Sequence, residues 1–180
     1  MYRLRELALK DIERINSWRN DPGLIACLGA PFRYINQDVD KRWYDQYKSS
    51  RGSCVRCAVV DENDEILGLV SLTSIDSVNR SGQLHIMIGS SENRGKGLGT
   101  FAVRTMVEHA FYNLNLRRIE LSVLINNLPA RKLYEKIGFV KEGVKRQSAY
   151  KNGDYQDQII MGLLRSDYEN AGKAERGGNQ

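Results

Sequence analysis

The sequence predicts a single α/β domain of the α+β type, with a mixed, mostly antiparallel sheet of about six to seven strands flanked by about four helices. A chain of 180 residues can bury one core but is short for two ordinary domains. Short apolar runs separated by turn residues recur along it, which is typical of antiparallel strands. In the middle, a strand-like run (residues 81–88) leads through a glycine-rich turn and a helix-like run to another apolar run (118–124). This order predicts two central parallel strands joined by a right-handed crossover.

The N-terminal part predicts one strand and two helices. Residues 2–9 alternate apolar and polar side chains, and residues 10–18 repeat apolar side chains at helical spacing. Turn-forming residues at 21–23 break this pattern, and residues 37–49 then form a second amphipathic helix.

Three further strands are expected next. Residues 54–60 and 66–75 are rich in β-branched and apolar side chains, and the acidic segment between them resembles a hairpin turn. Residues 81–88 alternate again, so the three strands predict a meander.

Two helices follow, on either side of the strand at 118–124. The first, from Leu98 to about Asn113, carries a long apolar stripe. The second lies between Asn127, a suitable N-cap, and Gly138, a suitable left-handed stop.

A hairpin closes the predicted domain. Residues 140–150 and 155–164 are joined by a segment that contains an Asn-Gly turn signal. The domain is therefore assigned to residues 1–168, and the polar, glycine-rich residues 169–180 are predicted to be a disordered tail.

Composition excludes several classes of protein. With 41% hydrophobic and 27% charged residues the chain is typical of a soluble globular protein, and no apolar run is long enough to span a membrane. Three cysteines and two histidines form neither a disulfide framework nor a zinc-ligand pattern, so no metal is expected. We expect a cytoplasmic protein. The net charge of +5 comes without a long basic run, so nucleic-acid binding is not expected.

The turn after residue 88 has the chemistry of a phosphate site. Gly95, Gly97 and Gly99 allow consecutive backbone N–H groups to converge on one anion, and Arg94 and Lys96 add cations. The following helix contributes its positive N-terminus. A P-loop would need Ser or Thr directly after Lys96, and the dinucleotide fingerprint needs one more residue before its last glycine, so neither pattern fits. A plain surface turn is the alternative.

Two motifs in this order resemble a known family. Arg94, Gly97 and Gly99 have the spacing R-x-x-G-x-G, which is similar to the pyrophosphate loop of the GCN5-related N-acetyltransferases (GNAT). Downstream, Asn127 is followed seven residues later by Tyr134 and then by a Gly-Phe pair, which resembles the second signature of that family. The resemblance is close over residues 55–165, and the Trp-Arg-Asn-Asp-Pro segment at 18–22 is similar to the ribosomal-protein and polyamine acetyltransferase branch.

The resemblance implies an acetyl-CoA-dependent N-acetyltransferase that moves an acetyl group directly to a primary amine. The acceptors it suggests are a protein N-terminus, a polyamine or an amino sugar. The alternative is a non-catalytic acyl-CoA-binding regulatory module. A third possibility, a nucleic-acid-binding protein, is suggested by the net charge alone. In the family, the parallel strands splay apart to admit the pantetheine arm. The cofactor-binding residues implied here are Ile86, Met87, Ile88, Arg94, Gly95, Lys96, Gly97, Leu98, Gly99, Thr100, Asn127 and Arg131.

The catalytic residues follow from the same resemblance and from side-chain chemistry. Tyr134 matches the family tyrosine that protonates the coenzyme A thiolate. Some relatives carry a glutamate base where this chain has Ser122, so Glu120 on the same strand face and His85 on the preceding strand are the candidate bases.

Substrate choice in this family is set by the N-terminal helices and the last hairpin. Aromatic side chains in those segments would suit an amine-bearing acceptor through cation–π contacts. The candidates are Trp18, Tyr34, Trp43, Tyr150 and Tyr155. No membrane partner is expected, and a homodimer is compatible with the chain.

Overall fold

The computed structural model describes residues 1–177. Within them lie seven strands and six α-helices. In chain order these are β1 (Arg3–Glu6), α1 (Ile12–Arg19), α2 (Pro22–Ala26), α3 (Gln37–Ser49), β2 (Val55–Val60), β3 (Ile66–Asp76), β4 (Ser81–Ile88), α4 (Leu98–Glu108), β5 (Arg118–Leu124), α5 (Leu128–Ile137), β6 (Val140–Lys151), β7 (Asp154–Leu164) and α6 (Arg165–Gly177).

All seven strands form one sheet in the order β1-β2-β3-β4-β5-β7-β6. Every neighbouring pair is antiparallel except β4 and β5, which run parallel. The predicted fold class, a mixed and mostly antiparallel sheet with a central parallel pair, is confirmed. Helix α4 provides the crossover between the parallel strands.

The parallel pair is joined over a short distance. Its register runs only from Ser81 opposite Arg118 to Gln83 opposite Glu120. Beyond that point β4 stays paired with β3 as far as Ile88, while β5 stays paired with β7 as far as Leu124. The carboxyl ends of β4 and β5 therefore diverge and leave a gap, as the family resemblance implied.

The sheet separates two apolar cores. Alternate residues of β2 point to opposite sides, so Val59 packs with α4 residues such as Met106, whereas Ala58 packs with Ile15 of α1. Trp18 lies in the second core. A Cβ atom at Gly89, just after β4, would overlap the Trp18 indole, so glycine is required at that position.

The number of helices was predicted too low, because two were missed. The segment predicted as a break at residues 21–23 begins helix α2, in which the Asp21 side chain accepts hydrogen bonds from the N–H groups of Gly23 (2.8 Å) and Leu24 (3.2 Å). An aspartate followed by proline is a good helix start, and burial of Leu24 and Ile25 holds the short helix.

The predicted disordered tail also differs from the structure. Helix α6 continues to Gly177, and residues 178–180 of the predicted tail lie outside the described residues. The helix is anchored near its start, where the Tyr168 ring packs against Phe111 at 5.8 Å and Arg165 Nη1 donates to the Phe111 carbonyl at 3.1 Å. These long-range contacts stabilise the start of α6, although the segment has the low apolar content from which a disordered tail was predicted.

None of the helices in residues 1–177 is both long enough and apolar enough to cross a membrane.

Candidate active site

The glycine-rich turn adopts the backbone conformation that its composition predicts. Gly95 (φ +74°) and Gly97 (φ +82°) are left-handed, and Gly97 is the N-cap of α4. A Cβ at either position would meet no atom within 4 Å, so glycine is favoured there by conformation and not by crowding. The first N–H groups of an α-helix have no partner inside it. The turn and the start of α4 therefore present backbone donors together.

The donors face a cavity of about 750 Å³, which we call the glycine-turn cavity. It occupies the gap between the diverging strands, with apolar walls from β4 and α5 and cationic side chains at its edge. Its lining residues include Ile86, Ile88, Arg94, Gly95, Gly97, Gly99, Thr100, Asn127, Ala130, Lys132, Tyr134 and Lys136.

A second cavity of about 480 Å³, the sheet cavity, lies on the other side of the gap. It is lined by β4, β5, α1, α3 and the segment after α2. Cys27, Leu28, Ile86, Leu124, Asn127, Ala130 and Tyr134 line both cavities. The two cavities therefore meet at the gap, and a molecule in one can reach a molecule in the other.

Tyr134 of α5 lies at this junction. It is 7% exposed and packs edge-on against Phe139, with 5.8 Å between ring centroids. Burial raises the pKa of Tyr134 to about 12. The phenol is thus protonated at neutral pH and able to donate a proton where the cavities join.

Asn127 orients the helix that carries Tyr134. Its Oδ1 accepts from the N–H of Ala130 (3.2 Å), and its Nδ2 donates to the Cys27 carbonyl (2.9 Å). The second bond ties the start of α5 to the segment after α2, which walls both cavities. Asn127 therefore caps a helix and also lines the junction.

The two candidate bases both line the sheet cavity. Glu120 Oε1 accepts from Gln83 Nε2 (3.0 Å) and its Oε2 accepts from Arg118 Nη2 (3.3 Å), while Arg118 is also paired with Glu142. His85 Nε2 lies 2.9 Å from Thr73 Oγ1.

The electrostatic surroundings keep His85 neutral. Desolvation by the cavity walls lowers the pKa of His85 below its usual value, and the positive charge of Arg56 acts in the same direction. A neutral imidazole is the form that can accept a proton.

The structure brings one of the five predicted acceptor-binding aromatics into the cavities. Trp43 lines the sheet cavity, where Arg19 (5.8 Å) and Arg56 (4.6 Å) stand over its ring. The other four do not line either cavity. Trp18 is in the core, Tyr34 is 89% exposed, and Tyr150 and Tyr155 stack on each other near the tip of the last hairpin.

Most of the predicted cofactor residues meet in the glycine-turn cavity, with four exceptions. Met87 faces the sheet cavity because strand residues alternate. Lys96 is exposed outside both cavities, and the Leu98 side chain is buried in the core. Arg131 Nη1 donates to the Ile125 carbonyl (3.1 Å), so its side chain supports the end of β5.

Sequence reasoning missed Arg56, Lys145 and the segment 27–30 as lining residues of the sheet cavity. Arg56 did carry a signal, because it is a lone cation in the otherwise apolar strand β2. The segment 27–30 follows a helix that was not predicted and carries no motif.

Comparison with known proteins gives the family. Residues 2–140 match the Acetyltransferase (GNAT) domain family. The chain belongs to the GNAT acetyltransferase family. It is 36% identical over 170 residues to the spermidine N(1)-acetyltransferase of Escherichia coli, covering 92% of this chain and 87% of the relative. It is also 28% identical over 167 residues to Bacillus subtilis YdaF, provisionally named a ribosomal N-acetyltransferase, covering 93% of this chain and 87% of that protein.

A solved structure extends the comparison to the fold. The crystal structure of spermidine N-acetyltransferase from Vibrio cholerae in complex with CoA and spermine matches with a TM-score of 0.87 and 31% identity. The match covers 94% of this chain and 98% of that chain.

As a GNAT acetyltransferase, the protein transfers an acetyl group from acetyl-CoA to a primary amine. The predicted family, enzyme class and cofactor are confirmed, and the alternative of a non-catalytic module is not supported. The glycine-turn cavity fits this cofactor, since left-handed Gly95 and Gly97 open the turn and Arg94, Lys132 and Lys136 supply cations for phosphates.

Proposed function

We propose that this GNAT enzyme acetylates the α-amino group of a peptide N-terminus, with Tyr134 as the proton donor to the departing thiolate. The observation that carries the proposal is the composition of the sheet cavity. Among its described lining residues Glu120 is the one carboxylate, and it is already engaged by a hydrogen bond from Gln83 and by an ion-paired hydrogen bond from Arg118. The site therefore offers weak base catalysis and favours an acceptor that needs little of it.

The glycine-turn cavity would hold the cofactor, which supplies the acetyl thioester when bound. Backbone N–H groups at Leu98, Gly99 and Thr100 are in place to donate to the diphosphate, and Arg94 adds charge at the same edge. The edge of β4 at Ile86 and beyond would pair with the pantetheine amides, because the pairing of β4 with β5 ends at Gln83.

Tyr134 is suited to act as the acid. A free thiol has a pKa near 8.5, well below that of the buried phenol. Burial also raises the pKa of a thiol, as it does for Cys57, whose pKa is about 11. Desolvation at the junction would shift the pKa of the departing thiol upward in the same way and bring it closer to that of Tyr134, which is about 12.

The acceptor amine must be neutral to attack. An α-amino group with a pKa of about 7.8 is about one-third neutral at pH 7.5, whereas an alkyl amine with a pKa of about 10.4 is only about 0.1% neutral. His85, held by Thr73 and neutral at this pH, can take the remaining proton directly or through water. An α-amine thus matches the bases that the cavity contains.

A polyamine is the second candidate, and the 36% identity to a spermidine N(1)-acetyltransferase favours it. The charges of the sheet cavity oppose it. Arg19 is paired with Asp40 and Glu120 with Arg118, which leaves the charges of Arg56 and Lys145, so a polycation would meet like charge.

An acceptor panel followed by free-thiol release tests the proposal. It contains three acceptors. The first is a tripeptide amide with a free α-amine, the second is an N-terminally blocked tripeptide amide whose only amine is a lysine side chain, and the third is spermidine. We expect the free α-amine to give a kcat/KM at least about tenfold above the other two. Faster turnover of spermidine would refute the proposal and assign the polyamine function.

A cytoplasmic location and a homodimer stay predictions.

A further inference from the structure

We infer that Arg56, stacked on Trp43, binds a carboxylate group of the acceptor and so makes the enzyme selective for acidic peptides. The inference rests on the proposed function, because it concerns the same cavity and assumes an α-amine acceptor. The carboxylate would come from an acidic side chain near the N-terminus or from the C-terminus of a short peptide.

The Arg56 guanidinium packs on aromatic rings and has a buried donor without a partner in the described residues. Its Nε atom is buried and, among residues 1–177, has no hydrogen-bond partner. Its charged group stands over two aromatic rings, at 4.6 Å from the Trp43 centroid and 6.0 Å from the Tyr47 centroid. A buried donor left without a partner is costly, and an acceptor group on a ligand would remove that cost.

Arg19 is a useful contrast because it stands over the same Trp43 ring, at 5.8 Å. It is paired with Asp40, a fully buried carboxylate that also accepts from Asn16 Nδ2 at 2.7 Å. Arg19 is therefore a structural cation that joins α1 to α3. Arg56 lines the same cavity and presents its guanidinium to the aromatic rings instead.

The charges around the cavity favour an anion. Glu120 is offset by Arg118, and Arg19 is offset by Asp40. Arg56 and Lys145 are the two other cationic side chains that line the sheet cavity in the described part of the chain. A carboxylate matches the planar fork of a guanidinium, and the Trp43 ring limits the orientations that the fork can take.

The position of Arg56 relates the carboxylate to the reaction. Arg56, His85 and Tyr134 all line the sheet cavity. A peptide held by its carboxylate at Arg56 would lie in the sheet cavity, which meets the glycine-turn cavity where Tyr134 lies. Arg56 is thus a specificity-determining residue of the acceptor site.

The test compares matched peptides. Pairs such as Ala-Glu-Ala amide and Ala-Gln-Ala amide differ only in the acidic group of the side chain. Ala-Ala and Ala-Ala amide compare the C-terminal carboxylate in the same way. We expect wild-type kcat/KM to favour the acidic member of at least one pair by about tenfold or more, the range for a charge-assisted hydrogen bond. The pair that responds identifies the source of the carboxylate.

Variants then assign the preference to Arg56. In Arg56→Gln the acidic preference should fall to within about twofold, while coenzyme A affinity measured by calorimetry stays unchanged and reports that the protein is folded. Arg56→Lys keeps the charge without the fork and should retain part of the preference. Arg42→Gln, the same charge change at an exposed position of α3 outside the cavity, should retain all of it.

Two results would overturn this inference and leave the proposed function standing. One is an equal kcat/KM of the wild type for acidic and amide peptides, and the other is an acidic preference that survives in Arg56→Gln. Turnover of spermidine without turnover of any peptide would overturn the proposed function, and this inference with it.

Discussion

Replacing Tyr134 with phenylalanine removes one hydroxyl from the junction of the two cavities. The ring keeps its edge-on contact with Phe139 and its place in the core, so stability should change by less than about 1 kcal/mol. The cavity walls are unchanged, so coenzyme A should bind as before.

The expected loss is in the chemical step. General acid catalysis contributes about 100-fold or more, which corresponds to about 2.7 kcal/mol of transition-state stabilisation. We therefore expect kcat of Tyr134→Phe, measured by thiol release at saturating acetyl-CoA, to fall at least about 100-fold. Because burial raises the pKa of Tyr134 to about 12, the phenol stays protonated between pH 7 and 10. Deprotonation of Tyr134 should therefore not lower the wild-type rate in this pH range.

Tyr168→Phe is the matched control. Burial likewise raises the pKa of Tyr168 to about 12, but its hydroxyl donates to Glu108 outside both cavities. This variant should keep the wild-type kcat. If Tyr134→Phe also turned over within twofold of the wild type, Tyr134 would have no part in proton transfer.

Two other predictions concern the turn and the base. Gly97→Ala puts a side chain on a left-handed residue, which costs about 1–2 kcal/mol, and should weaken coenzyme A binding about tenfold or more by calorimetry. Gly153→Ala, at a left-handed glycine in the last hairpin (φ +89°), should show a similar loss of stability with unchanged coenzyme A affinity. Equal coenzyme A affinities in the two variants would contradict a role of the glycine-rich turn in binding the diphosphate. His85→Gln should lower kcat about tenfold and remove from its pH profile an ionisation below pH 6.5, because desolvation and the charge of Arg56 lower the pKa of His85. His109→Gln, outside both cavities, should keep that ionisation, and its persistence in His85→Gln would exclude His85 as the base.

Local patterns predicted most of the elements. The strands at 81–88 and 118–124 and the helix at 37–49 lie where alternation and helical spacing placed them. The helix that starts at Leu98 does change to wider turns after Glu108. Of the two missed helices, α2 has a local start signal in Asp21 and Pro22 that was interpreted as a break, whereas α6 depends on long-range contacts such as the packing of Tyr168 on Phe111.

The sheet cavity, which we propose takes the acceptor, was the part of the site that could not be predicted. Aromatic content suggested Trp18 and Trp43 equally, but α1 packs Trp18 beneath Gly89, 71 residues away, while α3 leaves Trp43 on the cavity wall. Glu120 was predicted as a base, but the hydrogen bond that it accepts from Gln83 was not predicted. Neither the alternation nor the composition of β5 indicates which residue of β4 will lie beside Glu120.

The sequence alone determined the local backbone around the glycine-turn cavity. The left-handed glycines, the start of α4 and the cap of α5 are set by the conformational preferences of a few adjacent residues, and these preferences act before any tertiary contact forms. Only the tertiary structure decided the acceptor side, where Arg56 meets Trp43 and Arg19 is taken by Asp40. Those pairings join strands and helices that are far apart in the chain, and the charge of the cavity depends on which of them form.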